Sequence, residues 1–137
     1  MEISMGFLDK LLNRGISEMP DTSSDEEDCC FDTVVVGNRI QKILDENWSG
    51  CELRKYVPSA AIGADAIEWT YTHGVYRDGR PLLMINILDN KNDYKKKIVR
   101  QSMEACADKG IGYIHFLLHL PNRSSYILER LREEMPA

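Results

Sequence analysis

Three histidines, four cysteines and one run of basic residues are the side chains here that invite a chemical reading. His115 and His119 stand four apart in an apolar run, so on a strand they would share a face, with His73 far earlier in the chain. A zinc site from all three would need them to converge, and nothing in their spacing brings them together. Histidines satisfied by their neighbours are the simpler reading. Cys29 and Cys30 are adjacent, while Cys51 and Cys106 stand alone, so no pair has the spacing of a metal knuckle or a redox motif. Reduced thiols in a cytoplasmic protein are expected, and no metal site. There is no Gly-rich phosphate loop, no His-Glu-x-x-His and no nucleophile elbow. Lys91, Lys95, Lys96, Lys97 and Arg100 form the one basic cluster. As a stripe on phosphates, Lys95, Lys96, Lys97 and Arg100 would give salt-sensitive nucleic-acid binding. On a helical wheel, however, Asp93 to Lys97 and Arg100 to Glu104 are i,i+4 pairs, the ordinary pattern of a solvated helix face.

The elements that must position these groups follow from composition and periodicity. The 137 residues are 43% hydrophobic and 28% charged, which suits a globular domain with a continuous core. No apolar run approaches the roughly 20 residues that cross a bilayer. Met1 to Arg14 begins acidic and interrupts its apolar positions with Asp9 and Lys10, unlike a secretory signal. The net charge of −5 is unevenly placed: residues 1–31 hold eight acids against Lys10 and Arg14, whereas 32–137 hold 14 acids and 15 bases. The acidity therefore belongs to the leader, and the remainder lacks a strongly basic footprint.

Within the leader, Phe7, Leu8, Leu11 and Leu12 line one side of a short helix over 5–14. That stripe is expected to dock on its own domain, on a second copy or on a partner protein, because so few bases attract lipid poorly. Residues 17–31, with Pro20 and four consecutive acids, cannot bury enough apolar surface to offset their ordering entropy and read as a mobile linker.

A single α/β domain is expected over 32–137. Val35, Val36, Ile40, Ile43, Leu44 and Trp48 recur at helical spacing between an Asp32-Thr33 cap and a Ser49-Gly50 stop. Cys51–Val57 reads as a strand closed by Pro58. Residues 64–76 are rich in β-formers and lead into Arg77-Asp78-Gly79-Arg80, a hairpin signal because Gly accepts positive φ. Pro81–Leu88 is apolar on both faces, as a central strand must be. A helix over 92–109 turns Val99, Ser102, Met103 and Cys106 inward and stops at Gly110. Tyr113–His119 is a buried strand, and Asn122 caps a last helix with Ile127, Leu128 and Leu131 toward the core.

This α-β-β-β-α-β-α order resembles the PD-(D/E)XK nuclease-like superfamily, and within it the small bacterial domains related to very-short-patch-repair endonucleases. The resemblance spans about residues 34–134. It rests on Ala64-Asp65-Ala66-Ile67-Glu68, Arg80-Pro81-Leu82-Leu83-Met84-Ile85-Asn86, Gly110-Ile111-Gly112-Tyr113-Ile114-His115-Phe116 and Pro121-Asn122-Arg123. It implies a restriction-endonuclease-like mixed sheet with helices on its faces. It also implies an acid on the first hairpin strand and a (D/E)-x-K on the second, holding a metal that activates water. The first acid would be Asp65 or Glu68, which point to opposite faces if both lie on a strand. At the second position Asn86 replaces the carboxylate and Leu88 the lysine, with Asp89 and Lys91 close behind. A neutral amide cannot offset the charge of Mg²⁺, and leucine cannot move a proton. The expected function is a binding or interaction module of nuclease-like layout without catalysis and without a cofactor. The alternative is a Mg²⁺-dependent DNA endonuclease using Asp65 or Glu68, Asp89 and Lys91.

Overall fold

A computed structural model describes residues 32–90 and 92–136. Helix α1, Thr33–Asn47, starts where the Asp32 carboxylate accepts the Val34 N–H at 2.8 Å. It ends where the Trp48 N–H returns to the Leu44 carbonyl. Strand β1 is Glu52–Pro58, β2 Thr70–Arg77 and β3 Arg80–Leu88. Asp78 (φ 53°) and Gly79 (φ 78°) join β2 to β3, the two positive angles that let a two-residue turn match strand twist. Helix α2 is Lys97–Asp108, β4 is Gly112–Leu117 and α3 is Ser124–Glu134.

The fold is therefore α/β, with a four-stranded mixed sheet in the order β1-β2-β3-β4. The first three strands are antiparallel, and β4 lies parallel to β3 after the α2 crossover. β3 is central and buried from Leu83 to Leu88, as its two-sided apolar run requires. One sheet face meets α1 and α3 through Val36, Ile40, Leu44, Ile127 and Leu131, packed with Leu83, Ile85, Ile114 and Phe116. The other face holds Val57, Tyr71, Tyr76 and Met84 under Cys106 of α2. No helix among the described residues is long and apolar enough to cross a membrane.

Several local expectations need correction. The first hairpin strand begins at Thr70 rather than at 64, so neither Asp65 nor Glu68 lies on a strand. A 3-10 turn over Ser59–Ile62, ended by Gly63 at φ 82°, redirects the chain. Ser59 then clamps the loop, its N–H donating to Trp69 O at 2.7 Å and its hydroxyl to Ile67 O at 3.0 Å. The helix expected over 92–109 splits into a 3-10 turn, Asp93–Lys95, and α2, because Lys96 between them is extended (ψ 143°). Asp93 consequently pairs with Lys96 at 3.0 Å and not with Lys97. Met103 and Val35 point outward, at 40% and 38% exposure. β4 stops at Leu117 because buried Asn122, at φ 51°, donates to Leu117 O and Leu120 O at 3.0 Å each. Asn122 is thus the staple of that turn and not a helix cap, a position that Asn accepts more readily than most side chains. The leader helix, the linker, Cys29, Cys30 and Lys91 lie outside the described residues.

Candidate functional site

Asn86 sits near the C-terminal end of β3 on the α2 side and is wholly buried. An amide there must have every hydrogen-bonding group satisfied, and each one is. Its Oδ1 accepts the indole N–H of Trp69 at 2.9 Å. Its Nδ2 donates to Ser102 Oγ at 3.2 Å and to the Tyr113 hydroxyl at 2.9 Å. Three different elements supply these partners: the loop before β2, the buried face of α2, and β4. Ser102 in turn donates to Val99 O at 2.6 Å, and the Tyr71 hydroxyl donates to Ser102 O at 2.7 Å. Tyr113 continues the chain outward to His115 Nδ1 at 3.3 Å, where the half-buried imidazole stacks on Tyr94.

The environment fixes the protonation states in this network. Burial pushes the Tyr113 phenol up to about 12, outweighing the hydrogen bonds from Asn86 and Ser102. Burial likewise raises Tyr71, with the Cys106 thiol against its hydroxyl adding to the effect. His115 is held below the usual imidazole range by burial first and by the Arg130 charge second. All three groups are therefore neutral near pH 7, and the network is a set of fixed dipoles rather than a charged centre.

The other candidate residues lie apart from this network. Asp65 is exposed in the loop after the 3-10 turn, lining a groove of about 460 Å³ with Gln101, Glu104, Asp108 and Lys109 of the α2 side. Glu68 is exposed just before Trp69, and Asp89 is exposed just past the end of β3. Leu88 is buried at 6% exposure. Among the described residues, no three His, Cys, Asp or Glu side chains are grouped to hold a metal ion. The one side chain at the second-acid position, Asn86, has its oxygen engaged by Trp69 and no route to solvent. Asn86, buried and with its oxygen engaged, does not suit a Mg²⁺ ligand.

Lys95, Lys96, Lys97 and Arg100 are all exposed. Lys96 is engaged by Asp93, whose carboxyl is held below the usual range mainly by that contact, and Lys95 lies 5.8 Å from the Tyr94 ring centroid. His115 and His119 border one groove with Tyr94, whereas His73 sits across the sheet against Gly37 of α1. The sequence reading missed Trp69, Ser102 and Tyr113 as partners of Asn86. The signal was an amide inside an apolar run, which has to be satisfied from elsewhere. Comparison with protein-family models, curated proteins and solved structures finds no match.

Proposed function

We propose that this chain is a non-hydrolytic binding module of nuclease-like layout, working in the cytoplasm through its surfaces rather than through metal chemistry. The observation that carries the reading is the saturation of Asn86, whose oxygen and both amide hydrogens are used inside the protein. A carboxylate at that place could make neither donation and would bury a charge, so the side chain suits packing and does not suit a metal. Within this reading, the apolar stripe of Phe7, Leu8, Leu11 and Leu12 is the element that docks a second copy or a partner protein.

The test is an incubation of the chain with supercoiled DNA and Mg²⁺ or Mn²⁺, beside calorimetry with Mg²⁺ alone. Intact DNA and no stoichiometric metal binding are expected. Metal-dependent cutting that disappears in Asp65→Asn, Glu68→Gln or Asp89→Asn would overturn the reading in favour of a rearranged endonuclease.

A further inference from the structure

Between the first turns of α1 and strand β1 runs a cleft of about 220 Å³, bordered by Thr33, Gly37, Asn38, Lys55, Tyr56 and His73. Two regular spacings build it. Thr33 and Gly37 are four apart on α1 and so share a helix face. Lys55 of β1 and His73 of β2 are direct cross-strand partners and so share a sheet face. Gly37 is what allows the approach, since a Cβ there would stand 3.0 Å from His73 Nε2.

His73 is the unusual member. It is only 3% exposed, and its Nδ1 is buried without a hydrogen-bond partner. With Nδ1 walled off, the proton of the neutral ring belongs on Nε2, the nitrogen beside Gly37 at the cleft wall. The cleft then offers an N–H from His73, a cationic ammonium from Lys55, and the Thr33 and Asn38 side chains. Among the described residues, no acidic side chain lines it. Along α1, the Asp32 carboxylate accepts the Val34 N–H and the Asp45 carboxylate accepts the Gln41 amide.

We infer that this cleft binds a tetrahedral oxyanion of the phosphate type, held by Lys55 Nζ, His73 Nε2–H and the side chains of Thr33 and Asn38. The donors come from a helix and two strands, and a tetrahedral anion presents acceptors to all of these directions, which a flat carboxylate does not. Val34 and Leu53 add apolar wall, leaving room for an organic group attached to the phosphate. The source is therefore free phosphate or a phosphate monoester. The site lies on the opposite sheet face from Asn86 and does not depend on how that residue is read.

The experiment uses the whole chain at constant ionic strength, with histidine-ring NMR and calorimetry against inorganic phosphate, phenyl phosphate and acetate. Saturable movement of the His73 ring signals is expected with a phosphate species and not with acetate. Tighter binding of phenyl phosphate would assign a monoester, and preference for inorganic phosphate would assign the free ion. Replacing the exposed ammonium in Lys55→Gln should weaken binding by about tenfold or more, as loss of a charge-assisted hydrogen bond does. Lys109→Gln, an exposed lysine at the end of α2 outside the cleft, should leave binding unchanged. A response that never saturates, that acetate reproduces, or that both lysine variants reduce alike would overturn the site.

Discussion

Asn86 shows how one side chain can hold a fold together where three elements meet. Replacing it by leucine keeps the volume but strands the Trp69 indole N–H and removes both donations, to Ser102 and Tyr113. Each buried polar group left unsatisfied costs about 1–3 kcal/mol. Asn86→Leu is therefore expected to lower unfolding stability by about 2–4 kcal/mol, read from urea midpoints by circular dichroism. Tyr113→Phe, which removes one partner that also reaches the half-buried His115, should cost less. A near-neutral Asn86→Leu would mean that the network adds nothing, and it would weaken the structural account of this position.

At the scale of elements, glycines separate local from tertiary demands. Gly79 has φ 78° and open space around it, so Gly79→Ala should cost only the left-handed backbone strain, about 1 kcal/mol. Gly112 begins β4, where an added Cβ would lie 2.8 Å from the backbone oxygen of Glu134 and 3.1 Å from Leu83 Cδ1. Neither neighbour can yield easily, one being backbone and the other core, so Gly112→Ala must push α3 off the sheet. A loss of about 2–3 kcal/mol is expected, roughly the cost of overpacking, with a larger change in tryptophan-independent helix signal than for Gly79→Ala. Paired urea titrations of the two variants check the ranking.

For the molecule as a whole, pH dependence should report the buried face between α1 and the sheet. His73 titrates at about 4 in the fold, lowered from 6.5 by burial first and by Lys55 second. The unfolded chain therefore binds the extra proton between these values while the fold refuses it. The contribution is complete above about pH 6.5 and falls as pH drops toward 4, by about 3 kcal/mol in all. His115, also lowered, acts in the same direction. Urea unfolding at about pH 7, 6 and 5 should show this decline, and His73→Gln should reduce it to the part that His115 supplies, since the variant has no imidazole at 73 to protonate on unfolding. An unchanged slope in the variant would show that His73 is not the source.

The sequence by itself determined what local chemistry decides. Asp32 had to cap α1 and Asp78-Gly79 had to turn a hairpin. Gly110, at φ 70°, had to end α2, and an apolar run interrupted only by Asn86 had to be the central strand. Each of those signals lies within a few residues of its effect. Ile67 and Trp69 misled, because they lie in a loop that Ser59 holds shut by bonding the carbonyls of both. Asp93 misled for a similar reason, as the extended Lys96 breaks the helical spacing that would pair it with Lys97. What only the tertiary structure decided was who meets whom across the sheet. Asn86 was visible as an amide in an apolar strand, but Trp69, Ser102 and Tyr113 are brought to it by a loop, a crossover helix and a parallel strand. Lys55 and His73 were two unremarkable residues until strand register set them opposite each other and Gly37 let α1 close over them. Register and helix docking depend on the whole core at once, and no short window of sequence contains that sum.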